Sequence, residues 1–186
     1  MSPKQASQRI LTIPNILSML RLVMIPAAVY LYLSGSYAAT AVVIVLSGLT
    51  DVVDGYIARR CNAVTDLGKA LDPVADKLTQ LAMLLCLISR HPAMLAPFIL
   101  LLVKEAFSAL SGLMVIRKTG TVLGAQWHGK VTTLMLYALM IMHVVWKEIP
   151  DTVSNISIIL CIAMMLLSLV LYARRNISAI RSASRS

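Results

Sequence analysis

Residues Leu22–Thr50 read LVMIPAAVYLYLSGSYAATAVVIVLSGLT, 29 consecutive positions without a charged side chain. That is longer than one bilayer crossing, which takes about 20 apolar residues. Ser34-Gly35-Ser36 interrupts it with turn chemistry, so it reads as the end of one membrane span and the beginning of the next. The first span is expected over Pro14–Leu33 and the second over Tyr37–Ala58. Lys4 and Arg9 before the first apolar stretch resemble a signal peptide. The stretch from Ile10 to Leu33 is too long for a usual signal core, however, and reads as a retained span.

Downstream the same reading gives four more spans. The third is expected over Leu71–Ser89, with Pro73 in its first turn, where a missing N–H costs nothing. The fourth covers Ala93–Ile116 and is stopped by Arg117-Lys118-Thr119-Gly120; the fifth covers Gly129–Trp146 and the sixth Thr152–Ala173. Composition agrees. The 186 residues are 59% hydrophobic and 13% charged, against about 25% charged in an average soluble domain. A disordered chain is excluded, and a separate soluble domain has no room. The expectation is an all-α integral membrane protein of six transmembrane helices, a single membrane-embedded domain over residues 1–186.

Seventeen Lys and Arg against eight Asp and Glu give a net charge of +9. No aromatic-basic interleaving or finger spacing accompanies the charge, so nucleic acid is not an expected partner. The positive residues sort by connection instead. Lys4 and Arg9, then Arg59, Arg60 and Lys69, then Arg117, Lys118 and Lys130, then Arg174, Arg175, Arg181 and Arg185 fall on one side; Arg90 and Lys147 fall on the other. Positive residues in short loops stay in the cytoplasm, so both termini are expected there, with the terminal arginines and lysines contacting anionic lipids. Cys61, Cys86 and Cys161 show neither a CxxC pair nor an even count and are expected to be bystanders. His91, His128 and His143 lack metal-ligand spacing and are expected to be solvated or interfacial, as are Trp127, Trp146 and Tyr172 near span ends.

Five of the eight acids, Asp51, Asp54, Asp66, Asp72 and Asp76, fall within 26 positions, near the cytoplasmic end of span two and the start of span three. Asp51 and Asp54 are three apart and Asp72 and Asp76 four apart, so each pair shares one helix face. Four carboxylates aimed at one point do not all stay ionised without cations. A pair of hard divalent ions, Mg²⁺ or Mn²⁺, would balance them through oxygen ligands. Helix capping alone demands neither that spacing nor the small residues Gly55, Ala58 and Gly68 beside the acids. Arg59 is suited to hold phosphate oxygens bidentately. Asp66 is equally readable as a helix cap. Acids, small residues and an arginine together describe a metal-dependent pyrophosphate site.

Asp51-Val52-Val53-Asp54-Gly55-Tyr56-Ile57-Ala58-Arg59, eight residues, Gly68, three residues, Asp72, three residues and Asp76 match the complete signature of the CDP-alcohol phosphotransferase family, which the chain therefore resembles. The resemblance implies a six-helix dimeric fold with a site open to the cytoplasmic leaflet of the cell membrane, and transfer of a phosphatidyl or phosphoalcohol group from a cytidine diphosphate donor to an alcohol with release of CMP. It implies that Asp51, Asp54 and Asp72 are metal ligands and that Asp76 is a ligand or the general base. Asp51, Gly55, Ala58, Arg59, Asp66 and Gly68 would line the donor's cytidine and phosphates.

Within the family, Thr12-Ile13-Pro14-Asn15-Ile16-Leu17-Ser18-Met19-Leu20-Arg21 and Leu71-Asp72-Pro73-Val74-Ala75-Asp76-Lys77 are similar to bacterial phosphatidylglycerophosphate synthases. This implies CDP-diacylglycerol as donor and glycerol 3-phosphate as acceptor; a phosphorylated acceptor wants positive groups, for which Lys104, Arg117, Lys118 and Lys130 are the candidates, Arg117 and Lys118 being also readable as topology signals. Lys104-Glu105 is also readable as a neutralised intramembrane pair. Ser111 stands where that branch tends to have an arginine, and Thr132 where it has a second lysine. These departures leave room for phosphatidylglycerol as acceptor, which would make the product cardiolipin. A transporter would want binding groups near the midplane in both halves, and a prenyltransferase two separated acidic motifs; the second half here holds only Glu105, Glu148 and Asp151.

Overall fold

A computed structural model describes residues 13–60, 66–120 and 126–183, with side chains described outside positions 13–15, 51–60, 66–72 and 183. The described residues form six long helices and no strand: α1 (Ile13–Leu33), α2 (Tyr37–Arg60), α3 (Asp66–Ile88), α4 (Leu95–Thr119), α5 (Trp127–Val145) and α6 (Asp151–Ala183), with a 3₁₀ turn at Pro92–Met94 before α4. Four segments, Ile16–Leu33, Pro92–Thr119, Trp127–Val145 and Asp151–Ser182, are long and apolar enough to cross a membrane, and Tyr37–Thr50 is a shorter apolar stretch.

The chain divides into two units. The first comprises α1, α2 and α3 to Leu87, with Val144–Lys147. Here the expected break at Ser34–Ser36 is a Schellman turn: Ser36 N–H donates to Leu31 O at 2.9 Å and Gly35 N–H to Tyr32 O at 3.0 Å. Gly35 takes φ +76°, a conformation costing a residue with a Cβ roughly 1–2 kcal/mol. The turn folds α2 back against α1. Beside it, Tyr32 meets Tyr37 edge-on, and Lys147 Nζ lies 5.0 Å from the Tyr37 ring centroid.

Helix α3 departs from the expected span. It begins at Asp66, five residues before Leu71, so Pro73 is interior to the helix and not in its first turn. Proline there withholds one N–H from the carbonyl four residues earlier. An acid at the first position favours the earlier start, since carboxylates stabilise helix N-termini.

The second unit comprises Ile88–His143 and Glu148 onward. Helix α4 packs on α6, and the 3₁₀ turn touches both. Helix α4 runs through Arg117-Lys118-Thr119 and stops at Gly120, which takes φ +65° and donates its N–H to Ile116 O at 2.9 Å. The stop thus comes from glycine and not from the basic pair, which is compatible with helix and favourable near a C-terminus. Helix α6 continues ten residues past the expected Ala173, carrying Arg174, Arg175 and Arg181 on helical backbone. Nothing in Arg174-Arg175-Asn176 breaks a helix, and leaving a hydrophobic stretch does not end one.

Two histidines expected to be solvated or interfacial are buried instead. His143 donates from Nδ1 to Leu139 O at 2.8 Å and accepts at Nε2 from Ser154 Oγ at 2.9 Å. His128 is held between Gln126 Oε1 (2.6 Å) and Ser168 Oγ (2.9 Å). Each imidazole is fully partnered, so its burial leaves no donor or acceptor wanting. His91, in the connection before the 3₁₀ turn, meets the His143 ring edge-on. Burial, and secondly Arg90, push it below the ordinary imidazole range, with Asp151 pulling the other way.

Candidate functional site

The signature residues all belong to the first unit and all lie on helix. Asp51, Asp54, Gly55, Ala58 and Arg59 occupy the C-terminal half of α2, and Asp66, Gly68, Asp72 and Asp76 the N-terminal half of α3. Continuous helical backbone through both acidic pairs makes the three- and four-residue spacings true face spacings. The two halves are joined through residues 61–65, which lie outside the described residues, as do the side chains of Asp51, Asp54, Gly55, Ala58, Arg59, Asp66, Gly68 and Asp72.

Asp76 is described in full. Its Oδ2 accepts from Gln80 Nε2 at 3.0 Å, one helical turn onward, and lies 3.4 Å from Lys77 Nζ. Gln80 is completely buried while Asp76 is half-buried. A buried amide therefore orients a carboxylate whose charge remains accessible, the condition for a group that binds a cation or takes a proton. The signal for Gln80 was present as an i, i+4 neighbour of Asp76 but lies outside the family signature.

The proposed acceptor cations belong to the second unit. Lys104 is 5% exposed and donates from Nζ to Glu105 Oε1 at 2.6 Å. The ion pair anticipated from sequence is formed, and it makes a buried ammonium tolerable. Arg117 is exposed in the last turn of α4, and Lys130 is exposed in the first turns of α5. Thirteen residues of one helix separate Lys104 from Arg117, about 20 Å at 1.5 Å per residue. The structure thus does not gather these two at one point.

Near Lys130 the helices present a polar network that sequence did not reveal. The Tyr172 ring lies edge-on to His128, centroids 4.6 Å apart, with Arg175 5.7 Å from its centroid. A Cβ on Gly129 would come within 2.7 Å of Tyr172 Oη, so a larger residue here would displace the Tyr172 hydroxyl. Tyr172 thus makes an interhelical contact from within α6, whereas Trp127 and Trp146, at the two ends of α5, are exposed. Ser111 accepts from Asn176 Nδ2 at 2.7 Å. Thr132, buried, donates back to His128 O at 2.8 Å. The two departures from the synthase pattern are therefore absorbed into packing contacts. Cys86 and Cys161 are free thiols.

The sequence profile of the CDP-alcohol phosphatidyltransferase family matches residues 11–178. The CDP-diacylglycerol–glycerol-3-phosphate 3-phosphatidyltransferase of Aquifex aeolicus is 30% identical over 176 residues, covering 91% of this chain and 98% of that protein. The protein of the same name from Bacillus subtilis is 28% identical over 155 residues, 80% of this chain and 79% of its own length. The cardiolipin synthase (CMP-forming) of Streptomyces coelicolor is 41% identical over a shorter stretch of 106 residues, 54% of this chain and 49% of that protein.

Proposed function

Because the chain belongs to the CDP-alcohol phosphatidyltransferase family, we propose that it transfers the phosphatidyl group of CDP-diacylglycerol to glycerol 3-phosphate, giving phosphatidylglycerophosphate and CMP. The observation that carries the acceptor is the likeness over 98% of the Aquifex aeolicus relative's length. In this reading the protein crosses the cell membrane six times as a homodimer, with both termini and the site on the cytoplasmic side.

The donor set suits hard divalent cations: Asp51, Asp54, Asp72 and Asp76 offer only oxygen, in pairs at helical spacing on α2 and α3. When bound, two Mg²⁺ or Mn²⁺ ions would offset the pyrophosphate charge and stabilise the negative charge developing on CMP. Arg59 holds phosphate oxygens, Gly55, Ala58 and Gly68 leave room for the donor, and Asp66 completes its surround. Asp76, oriented by Gln80, accepts the proton of the acceptor hydroxyl. The hydroxyl oxygen attacks in line at the phosphorus bearing the lipid. A new P–O bond forms as the bond to the bridging oxygen breaks, and CMP leaves with that electron pair. No covalent enzyme intermediate is required.

Purified protein in detergent, supplied with CDP-diacylglycerol, Mg²⁺ and separately glycerol 3-phosphate, phosphatidylglycerol, inositol phosphate or serine, tests the reading by CMP release and product identity. A second reading, cardiolipin synthesis from phosphatidylglycerol, is favoured by the 41% identity to the Streptomyces coelicolor relative and by the uncharged Ser111 and Thr132. CMP release with phosphatidylglycerol and none with glycerol 3-phosphate selects it.

Lys130, exposed at the start of α5, is the cation proposed for the acceptor phosphate, with Lys104 deeper in the same unit and Arg117 aiding approach from the aqueous side. Lys130→Ala is expected to raise the KM for glycerol 3-phosphate about tenfold or more, the usual loss for a charge-assisted bond, while leaving that for CDP-diacylglycerol within about twofold. Equal increases for both substrates contradict an acceptor-specific role.

The orientation is testable without activity. Single cysteines placed in residues 59–69 or 117–130 of a cysteine-free chain are expected to resist an impermeant thiol reagent added outside intact cells. Those in residues 34–37 or 147–151 are expected to react. External labelling within 59–69 reverses the orientation and removes the access route for a cytoplasmic nucleotide.

A further inference from the structure

Arg21 is 0% exposed within the apolar helix α1, and nothing in the reaction described above uses it. It shares a buried face with Ser18, Ala28 and Tyr32, whereas Ile16, Met19, Leu20 and Val23 around it are exposed. A guanidinium withdrawn from water in a membrane-spanning segment requires an anion nearby. Within the first unit the acids are Asp51, Asp54, Asp66, Asp72 and Asp76, which are the acids of the signature.

The α1–α2 hairpin brings Arg21 to the level of the first acidic pair along α2. Twelve residues separate Arg21 from Leu33 at the end of α1, and twelve residues past Tyr37 at the start of α2 is Leu49. Arg21 is therefore level with Leu49, about 3 Å short of Asp51 along α2 at 1.5 Å per residue. The buried face of α2 runs Thr40, Ile44, Ser47, and continuing that four- and three-residue rhythm arrives at positions 51 and 54. Arg59 lies ten residues beyond Leu49 on the same helix, so the two arginines bracket the first acidic pair from opposite ends.

Charge balance gives Arg21 its task. Four carboxylates offset two divalent ions, and Asp66 and Lys77, which pairs with Asp76, offset one another; of the doubly negative pyrophosphate of the donor, Arg59 then meets one charge. A second fixed cation meets the other. We propose that Arg21 is a donor-binding residue, its guanidinium neutralising the phosphate that bears the lipid while Arg59 serves the phosphate on the cytidine side. The proposal rests on the donor chemistry proposed above.

The experiment compares binding of CDP and of CMP, both with Mg²⁺, to the purified full-length protein and to its Arg21→Gln and Arg21→Lys variants, by calorimetry without acceptor. The two nucleotides differ by the phosphate assigned to Arg21. In Arg21→Gln the Kd for CDP is expected to rise about tenfold or more, as for loss of a charge-assisted hydrogen bond, and that for CMP by much less, so the preference for CDP collapses. Arg21→Lys keeps the charge but loses the planar fork and is expected to lose several-fold of the preference. A purely structural arginine would weaken both nucleotides together; an unchanged CDP-to-CMP preference in the variants overturns the proposal. If Arg21→Gln does not fold, the preference of Arg21→Lys decides by the same criterion. Failure of the wild-type protein to bind either nucleotide overturns the donor chemistry itself, and this inference with it.

Discussion

Asp51→Asn, Asp54→Asn and Asp72→Asn are each expected to reduce CMP release by on the order of a hundredfold to a thousandfold, the scale seen when a group stabilising transition-state charge is removed. Asparagine keeps the size and shape of the side chain and removes the charge, so the helices on which these residues lie should persist. The physical reason is mutual: the cations make four close carboxylates tolerable, and the carboxylates hold the cations where charge develops on the departing CMP. Excess chelator is therefore expected to silence the wild-type protein and Mg²⁺ or Mn²⁺ to restore it. The measurement is CMP release at saturating substrates, with circular dichroism on each variant to verify the fold. Full activity in chelator, or near-normal turnover in all three variants, excludes the metal-dependent mechanism.

Asp76→Asn is expected to separate turnover from donor binding. A general base contributes about a hundredfold to ten-thousandfold, so kcat should fall into that range while the Kd for CDP-diacylglycerol changes several-fold at most. Asparagine at this position can still accept the bond from Gln80 Nε2 that now reaches Asp76 Oδ2, which keeps the side chain oriented but unable to take a proton. Gln80, fully buried one turn away, is the control: its loss should lower kcat less than loss of the carboxylate. Parallel loss of donor affinity and turnover in Asp76→Asn assigns Asp76 to metal binding and places the base elsewhere.

The acidic signature was readable from sequence because its information is local. Three- and four-residue intervals become one face as soon as the backbone is helical, and α2 and α3 are helical through both pairs. The hairpin at Ser34-Gly35-Ser36 was readable for a related reason, since a glycine after a long apolar run is the residue that reaches positive φ without a steric cost. The start of α3 and the end of α6 were misjudged where hydropathy was used as a proxy for helix. Hydropathy reports where lipid lies, whereas helices continue until a residue withholds a hydrogen bond or turns the chain. That is why α4 ends at Gly120, and why α6 passes through Arg174-Arg175 to Ala183.

By itself, the sequence determined the helical class, the hairpin that pairs α1 with α2, and the residue types that carry the chemistry, all of which depend on intervals of a few positions. Tertiary structure alone decided the fates of the buried polar groups. His128 meets Ser168 across 40 residues, His143 meets Ser154 across 11, and Asn176 reaches Ser111 across 65. Whether a histidine or arginine faces lipid, water or another helix depends on which helices pack together, and no short interval encodes that. Arg21 stands between the two cases: its spacing from Ser18 is visible in the chain, but only packing reveals that its charge is taken out of water, where a charge must find an opposite one.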